Sequence, residues 1–311
     1  MGLIDRKVRK DLYALAMTTG LGATAALTPR SARPRVLSSI VASAQRRGER
    51  QPIRRTELRE SEDVLRALAE HRRVFRSLRI EEAFCQGFGV FRPSWPADIS
   101  VSGLDHVRAA HAEGRGLVIW QMSFLDLTPL FIALADAGYP VNHLSSAFHR
   151  LASHGEPSRR LVAPALVRGE TRALGRRLMI PTDGSLGYLK ELKSIVQDDH
   201  GTVSIRGDFT SGRKEIEAPH LDHVMSFPTG APSLAHLTGA PLLTAAVIRR
   251  APLEHEVLID EPIAVARDMT RREFQHAAVM EYARRLDARA RVHRQSRPIV
   301  PFMPSVDPYL S

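Results

Sequence analysis

The architecture of this 311-residue chain is organised around residues 114–126, Gly114-Arg115-Gly116-Leu117-Val118-Ile119-Trp120-Gln121-Met122-Ser123-Phe124-Leu125-Asp126. The continuous apolar run at 117–120 is typical of a buried strand covered on both faces. After it the apolar spacing changes to that of a helix, which Gly138 and Pro140 end. We therefore expect Gln121 at the carboxyl end of a strand and Asp126 in the first helical turn, at a crevice where open α/β sheets bind ligands.

The chain on either side repeats this alternation of short apolar strands and helices. Strands are predicted at 99–101, 117–120, 141–144, 178–180, 202–205, 242–248 and 257–259, and helices at 104–113, 158–175, 185–196, 231–237 and 271–289. Alternation of this kind predicts an α/β fold with a largely parallel mixed sheet flanked by helices. We divide the chain into a basic helical N-terminal segment (1–97), an α/β domain (98–296) and a proline-rich tail (297–311).

The excess of positive over negative charge lies in the first 80 residues. Residues 1–80 hold 18 Lys or Arg and 8 Asp or Glu, a balance of +10 that equals the net charge of the whole chain. This distribution indicates a local anionic partner such as a lipid surface, an acidic carrier protein or a nucleic acid, although an arginine-rich solvated face explains it equally well.

The first 30 residues favour a peripheral membrane contact among these partners. Basic residues at 6–10 precede a weakly apolar stretch, 12–27, that is shorter than the roughly 20 apolar residues a spanning helix needs. Such a segment suits a membrane interface, and an ordinary helix packed on the body is the alternative. A nucleic-acid partner is not expected, because no aromatic residues alternate with the basic ones. The single cysteine, Cys85, excludes an internal disulfide framework.

Three phrases resemble the late acyltransferases of lipid A biosynthesis and the related phosphatidylinositol mannoside acyltransferases, within the lysophospholipid acyltransferase group. Residues 103–107 with 114–116 are similar to that family's "G-x-E-H-L … G-R-G" lead-in. Residues 121–126 fall where the family has its His-x4-Asp/Glu motif. Residues 206–210, then 227–231 and 237–241, resemble its acidic segment and the following "P-x-G … L-A-x-x-T-G-A-P" helix and strand.

The resemblance implies acyl transfer from a carrier-protein or coenzyme A thioester to an amine or hydroxyl acceptor, which is a small molecule or a lipid. In that family the histidine is the general base and the acidic partner orients it. It also implies an acyltransferase-like fold, no cofactor, no metal, and a cytoplasmic protein at the inner face of the cell membrane. The residues carried over are Gln121, Asp126 and Asp208 as catalytic, with a substrate-binding set of Ser123, His143, Arg176, Arg206 and Thr229.

The decisive position departs from the family pattern, because Gln121 stands where the histidine should be and a neutral amide cannot take up a proton. Arg206 likewise replaces a first aspartate, so only Asp208 carries over in that segment. Acyl transfer persists if the acceptor is already nucleophilic and Gln121 donates to the thioester oxygen. Alternatively Asp126 or His143 has become the base. Otherwise the protein only binds an acyl chain, a carrier or a partner, or acts on a carrier-bound small metabolite.

Structural explanations compete with each of these roles. Asp126 is also a favoured helix-capping residue, Gln121 suits a satisfied buried amide at a strand end, and Asp208 is a common turn residue. His220 and His223 suit a loop better than a metal site, since no third ligand lies nearby in the sequence. Arg176, placed just before a predicted strand, is either a phosphate ligand or a solvated residue.

Overall fold

The computed structural model describes residues 6–49, 62–92, 94–146, 171–181, 185–208, 214–221, 223–264 and 269–293. They form a mixed α/β structure built on a seven-stranded main sheet, with a separate two-stranded hairpin. The strands are β1 (Asp98–Ser102), β2 (Leu117–Met122), β3 (Val141–Ser146), β4 (Leu174–Ile180), β5 (Thr202–Arg206), β6 (Glu215–His220), β7 (His223–Pro228), β8 (Leu242–Ala251) and β9 (Glu254–Ile259).

The order of strands in the main sheet is β1-β9-β8-β2-β5-β3-β4. All neighbouring pairs run parallel except β8 and β9, so the sheet is largely parallel, as the alternation of elements predicts. Strand β2 lies at the centre between β8 and β5, and every one of its six residues is buried. The continuous apolar run therefore marks the middle of the sheet.

Helices cover both faces of the sheet. The helices are α1 (Arg6–Leu27), α2 (Arg33–Glu49), α3 (Glu62–Phe91), α4 (Leu104–Ala112), α5 (Thr128–Asp136), α6 (Gly187–Gln197), α7 (Gly230–Thr238) and α8 (Arg271–Val292). Helices α4 and α5 pack with Leu117 and Ile119 on one face. Helices α6, α7 and α8 pack with Val118 and Trp120 on the other. Side chains that alternate along β2 thus supply two separate cores.

The N-terminal segment is helical and has a small core of its own. Helix α1 packs along α3, and the backbones of Gly22 and Gly87 meet with no room for a side chain at either. Leu21, Leu37 and Phe84 are buried in this third core, which reaches the body at Leu253.

Several local predictions were wrong. Strands β6 and β7 were not predicted; they pair as an antiparallel hairpin outside the main sheet. Strand β4 begins at Leu174, four residues earlier than predicted, so it replaces the end of the helix expected at 158–175. The rest of that helix up to residue 170, together with the proline-rich tail, lies outside the described residues. Asp126 precedes α5 by two residues and is not in its first turn.

Candidate functional site

A row of polar side chains lies on one face of the sheet, at the carboxyl ends of β2 and β5. The two strands are in register with Ile119 opposite Ser204 and Gln121 opposite Arg206. Residues paired across neighbouring strands point to the same face, so Gln121 and Arg206 are side by side. Phe131 of α5 lies on this face as well. The strand pairing thus brings together two residues that are 85 positions apart in the sequence.

One step beyond the strand ends, Ser123 and Asp208 are joined by two hydrogen bonds. The Ser123 backbone N–H donates to Asp208 Oδ2 at 2.9 Å, and the Ser123 hydroxyl donates to Oδ1 at 2.6 Å. Both residues are partly buried, neither closed off nor fully exposed. The carboxylate of Asp208 is therefore held in one orientation at the edge of the sheet where ligands bind in open α/β folds.

Strands β3 and β4 extend the row. His143 is in register with Ser204 on one side and with Arg177 on the other. Its Nδ1 lies 2.9 Å from the Ser204 hydroxyl, and its ring packs against Phe131 with 5.1 Å between ring centroids. Arg177 Nη2 donates to the hydroxyl of Ser145 at 3.1 Å. We call this set the β2–β5 polar face: Gln121, Ser123, His143, Ser145, Arg177, Ser204, Arg206 and Asp208.

A polar face of this size is unusual for parallel strands, which are normally apolar on both sides. Part of it could be found in the sequence, because Thr202, Ser204 and Arg206 are polar at every second position of β5. The contribution of Ser145 was missed, since a single serine in a short strand carries no signal of its own.

Gln121 is closed off from solvent, with a side chain that is 0% exposed. Among the described residues neither Oε1 nor Nε2 has a hydrogen-bond partner, in contrast to the satisfied amide that one interpretation of the sequence predicted. An unpaired buried amide costs about 1–3 kcal/mol. The Gln121 backbone carbonyl, by comparison, accepts from Gly207 N at 2.9 Å and from the Tyr282 hydroxyl at 2.8 Å.

Arg206 is partly buried, and its side chain makes no hydrogen bond or ion pair within the described part of the chain. Arginine is always charged and carries five N–H donors, so a partly buried guanidinium normally has an acidic partner. Gln121 and Arg206 are thus two adjacent residues whose side chains make no hydrogen bond to any residue that the structure describes.

Asp126 has a structural role at the start of α5. Its Oδ1 accepts from the Thr128 backbone N–H at 3.0 Å and from the Thr128 hydroxyl at 2.8 Å, which caps the start of α5. Its Oδ2 accepts from Gln86 Nε2 at 2.7 Å, which ties α5 to α3. The capping interpretation of Asp126 is therefore correct, and we place Gln121 and Asp208, but not Asp126, on the β2–β5 polar face.

Two of the predicted substrate-binding residues lie away from this face. Arg176 is inside β4 and not before it, as the sequence suggested, and its position next to Arg177 puts it on the opposite face. Its Nη2 is 4.0 Å from Asp199 Oδ2. Thr229 precedes α7, and its backbone N–H and hydroxyl donate to the Lys214 carbonyl at 3.1 and 3.2 Å. Thr229 thus fastens the hairpin to α7.

Cys85 is not available as a nucleophile. It is buried in α3 and lines a narrow crevice between α3 and the body with Leu78, Glu81, Glu82, Trp95, Leu125, Asp126 and His255. Burial raises the pKa of its thiol well above the ordinary value, and the neighbouring carboxylates act in the same direction. A thiol in such surroundings stays protonated and inert.

No group of three His, Cys, Asp or Glu side chains suited to a metal ion occurs among the described residues. The Nδ1 atom of His220, considered above as a metal ligand, instead lies beside the carboxylate of Asp287 on α8. A search for long apolar helices over the same residues finds none that could cross a membrane.

No protein-family model matches the sequence, and no curated protein matches it either. The resemblance to acyltransferases accordingly depends on the short phrases described above and on nothing broader.

Proposed function

We propose that this protein transfers an acyl group from a carrier-protein or coenzyme A thioester to an amine or hydroxyl acceptor, with Asp208 as the general base. The observation that carries the proposal is the pair of hydrogen bonds between Ser123 and Asp208. Ser123 belongs to the segment that resembles the family's histidine motif, and Asp208 to the segment that resembles its acidic one. The hydrogen bonds between Ser123 and Asp208 thus bring these two segments together at the carboxyl edge of the sheet.

The chemistry requires a group that accepts a proton as the acceptor attacks the thioester carbon. A carboxylate can accept a proton on either oxygen, and the backbone N–H and hydroxyl of Ser123 hold the Asp208 carboxylate in a fixed orientation. Ser123 then has the orienting role that the third group has in nucleophile–base arrangements. In this scheme Gln121 does not need to move a proton, which removes the objection raised by the missing histidine.

The alternative bases are less suitable. Asp126 is engaged in capping α5. His143 is only 2% exposed and its ring is packed between Ser204 and Phe131. A direct hydrogen bond from Gln121 to the thioester oxygen is also disfavoured, because its side chain is buried and a substrate atom cannot reach it without displacing its neighbours.

A second candidate function is a non-catalytic member of the same fold that binds an acyl chain, a carrier protein or a partner. The burial of both Gln121 and His143 favours it, since the two residues expected to act on substrate are closed to solvent. A cytoplasmic site with peripheral membrane contact belongs to both proposals. Leu12 and Tyr13 of α1 are 51% and 67% exposed beside the basic residues of the N-terminal segment, which suits an anionic lipid surface.

The test is thioester turnover by the full chain. Purified protein is incubated with a set of acyl-coenzyme A and acyl-carrier thioesters, with amine and hydroxyl acceptors present, and thiol release and acylated product are measured. We expect Asp208→Asn to lower turnover by about 10²–10⁴, the usual contribution of a general base. Asp199→Asn is the matched control, because Asp199 is an exposed aspartate away from the β2–β5 polar face.

The two candidates predict different results in this assay. Turnover that survives Asp208→Asn would remove Asp208 as the base. Binding of acyl-carrier protein with no turnover of any thioester would favour the non-catalytic function.

A further inference from the structure

The outer side of helix α3 carries four arginines within eight residues. Arg72, Arg76 and Arg79 follow one another at spacings of four and three residues, so they lie on one face of the helix, and Arg73 is beside them. Arg72, Arg73 and Arg79 are exposed, and Arg76 is partly buried. We call these four residues the α3 arginine row.

The positive charge of the row is largely uncompensated. Arg79 Nη1 pairs with Glu82 Oε2 at 2.9 Å, and both side chains are open to solvent. Arg72 and Arg73 make no hydrogen bond or ion pair with any residue that the structure describes. Most of the charge of the row is therefore available to a partner.

The row differs from an ordinary solvated helix face, on which the two signs of charge alternate. Arg72 with Arg76, Arg73 with Arg76, and Arg76 with Arg79 are like charges three or four residues apart. Such pairs lower the stability of a helix. An accumulation of one sign that costs stability indicates an anionic partner.

The surface is wide enough for a protein. The row extends over seven residues, about 10 Å along the helix axis. Arg76 Nη1 donates to the Ala44 carbonyl of α2 at 3.2 Å, and Arg46 is exposed two residues further along α2. The basic surface thus covers parts of two adjacent helices.

The side chains around the row favour a protein over a lipid surface or a nucleic acid. Segments that lie in a membrane interface combine cations with large exposed apolar side chains, and none is exposed between Leu27 and Val90 among the described residues. Single-stranded nucleic acid needs aromatic platforms beside the cations, and the aromatic residue within the row, Phe75, is partly buried. A helix that presents carboxylates at the same spacing complements the row directly.

The row lies on the same face of α3 as a residue that contacts the loop of the proposed site. Gln86 follows Arg79 by seven residues, or about 10 Å along the helix. Its Nε2 donates to Asp126 Oδ2 at 2.7 Å, and Asp126 is three residues from Ser123. The path from the row to Ser123 is thus about two helical turns and a short loop, which suits the extended phosphopantetheine arm of a carrier protein.

We propose that the α3 arginine row is the docking surface for a small acidic carrier protein, which places a carboxylate-bearing helix against the row and delivers its acyl thioester to the carboxyl edge of the sheet. This inference rests on the proposed function and names its donor, a carrier-bound acyl group rather than acyl-coenzyme A.

Docking can be measured without any acceptor, so the measurement does not depend on turnover. The full chain is titrated calorimetrically with a holo acyl carrier protein of fatty-acid biosynthesis and, separately, with acyl-coenzyme A. We expect the carrier to bind more tightly than acyl-coenzyme A. Its affinity should fall as the salt concentration rises, because the contacts join exposed charges.

Two double variants locate the surface. Arg72→Glu combined with Arg73→Glu reverses two exposed charges that contact no described residue, and we expect the affinity for the carrier to fall at least about tenfold. Arg271→Glu combined with Arg272→Glu is the matched control, since these are adjacent exposed arginines at the start of α8, and its affinity should equal that of the wild type. Circular dichroism of each variant confirms that the fold is retained.

The inference is overturned if the carrier does not bind, if the α3 variant binds it like the wild type, or if the α8 variant loses as much affinity. Vesicles of phosphatidylglycerol and a single-stranded oligonucleotide are titrated in parallel. Tighter binding of either one than of the carrier, lost in the α3 variant, would assign the row to that partner instead.

The outcomes also separate this inference from the proposed function. Thioester turnover that depends on Asp208 in the absence of carrier binding would leave acyl transfer standing, with coenzyme A as the donor. Carrier binding that depends on the row without turnover of any thioester would leave the docking surface standing and favour the non-catalytic function.

Discussion

Two buried polar regions of this protein contrast in how their hydrogen bonds are used. At the junction of α3 and β9, the Glu81 carboxylate accepts from Arg249 Nε at 2.6 Å and from the Leu253 N–H at 3.0 Å, and it lies 2.9 Å from His255 Nε2. At the β2–β5 polar face, the Gln121 amide has no partner and Arg206 has no counterion within the described part of the chain.

The difference separates a structural role from a functional one. Buried polar groups are nearly always hydrogen-bonded, so the junction has the arrangement expected of a region that only holds the fold together. Unpaired groups persist where the protein needs them for something else, and they are expected to lower stability there. The four predictions below test this contrast, beginning with the largest effect.

Of the changes considered below, removing the charge of Glu81 should lower the free energy of unfolding most. Glu81→Gln removes the carboxylate charge that pairs with Arg249 Nε, where both side chains are largely buried. We expect the free energy of unfolding in urea to fall by about 3–5 kcal/mol, as it does when one partner of a buried ion pair is removed. Glu70→Gln, an exposed change on the same helix, should stay within about 0.5 kcal/mol of the wild type. A loss below about 1 kcal/mol for Glu81→Gln would contradict the role of the junction.

The same carboxylate should make stability depend on pH. Burial raises the pKa of Glu81, but the hydrogen bond from His255, the charges of Arg249 and His255 and the Leu253 N–H outweigh it, so the pKa lies below its ordinary value. A lowered pKa contributes stability that is complete above the unfolded value of about 4.3 and is lost as the pH falls through the folded value. We therefore expect the difference in free energy of unfolding between wild type and Glu81→Gln, measured in urea at a series of pH values, to decrease only below about pH 4.3. A difference in free energy of unfolding that stays constant at every acidic pH would contradict this link between protonation of Glu81 and stability.

A side chain at position 207 should disturb the polar face without touching the junction. A Cβ on Gly207 would lie 2.4 Å from Trp120 Nε1 and 2.5 Å from the Tyr282 ring. We expect Gly207→Ala to cost about 1–3 kcal/mol of stability through overpacking, with a further loss of thioester turnover because Asp208 follows directly. Gly230→Ala is the control, since nothing lies within 4 Å of that Cβ. Wild-type stability of Gly207→Ala would show that the side chains of Trp120 and Tyr282 move aside at no cost in free energy.

Replacing Gln121 by an apolar residue should stabilise the protein. Gln121→Leu removes a buried amide that has no hydrogen-bond partner among the described residues, and we expect the free energy of unfolding to rise by about 1 kcal/mol. Gln86→Leu is the matched control, because that amide donates to both Asp126 and Glu82 at 2.7 and 2.9 Å and its loss should lower stability. A clear destabilisation by Gln121→Leu in thermal unfolding would show that the amide has a partner after all.

Much of the fold could be predicted from the sequence, and less of the site. The apolar run at β2, the Gly239 that ends α7 and the long charged helix α8 are local features with local signals. The β6–β7 hairpin was missed because His220 and His223, which pair at its end, suggested a loop in the sequence. Asp208 was predicted at a strand end, but its partner Ser123 was found only through the structure, because the two are 85 residues apart.

The sequence by itself determined that strands and helices alternate, that β2 is buried on both faces, and that the carboxyl ends of these strands carry polar residues. These properties follow from periodicity and turn residues over a few positions at a time. Only the tertiary structure decided that β5, and not the next strand in the chain, lies beside β2, which sets Gln121 next to Arg206. It also decided that Glu81 meets Arg249 across 168 residues. Strand order and helix docking depend on how whole faces pack together, and no local pattern encodes that choice.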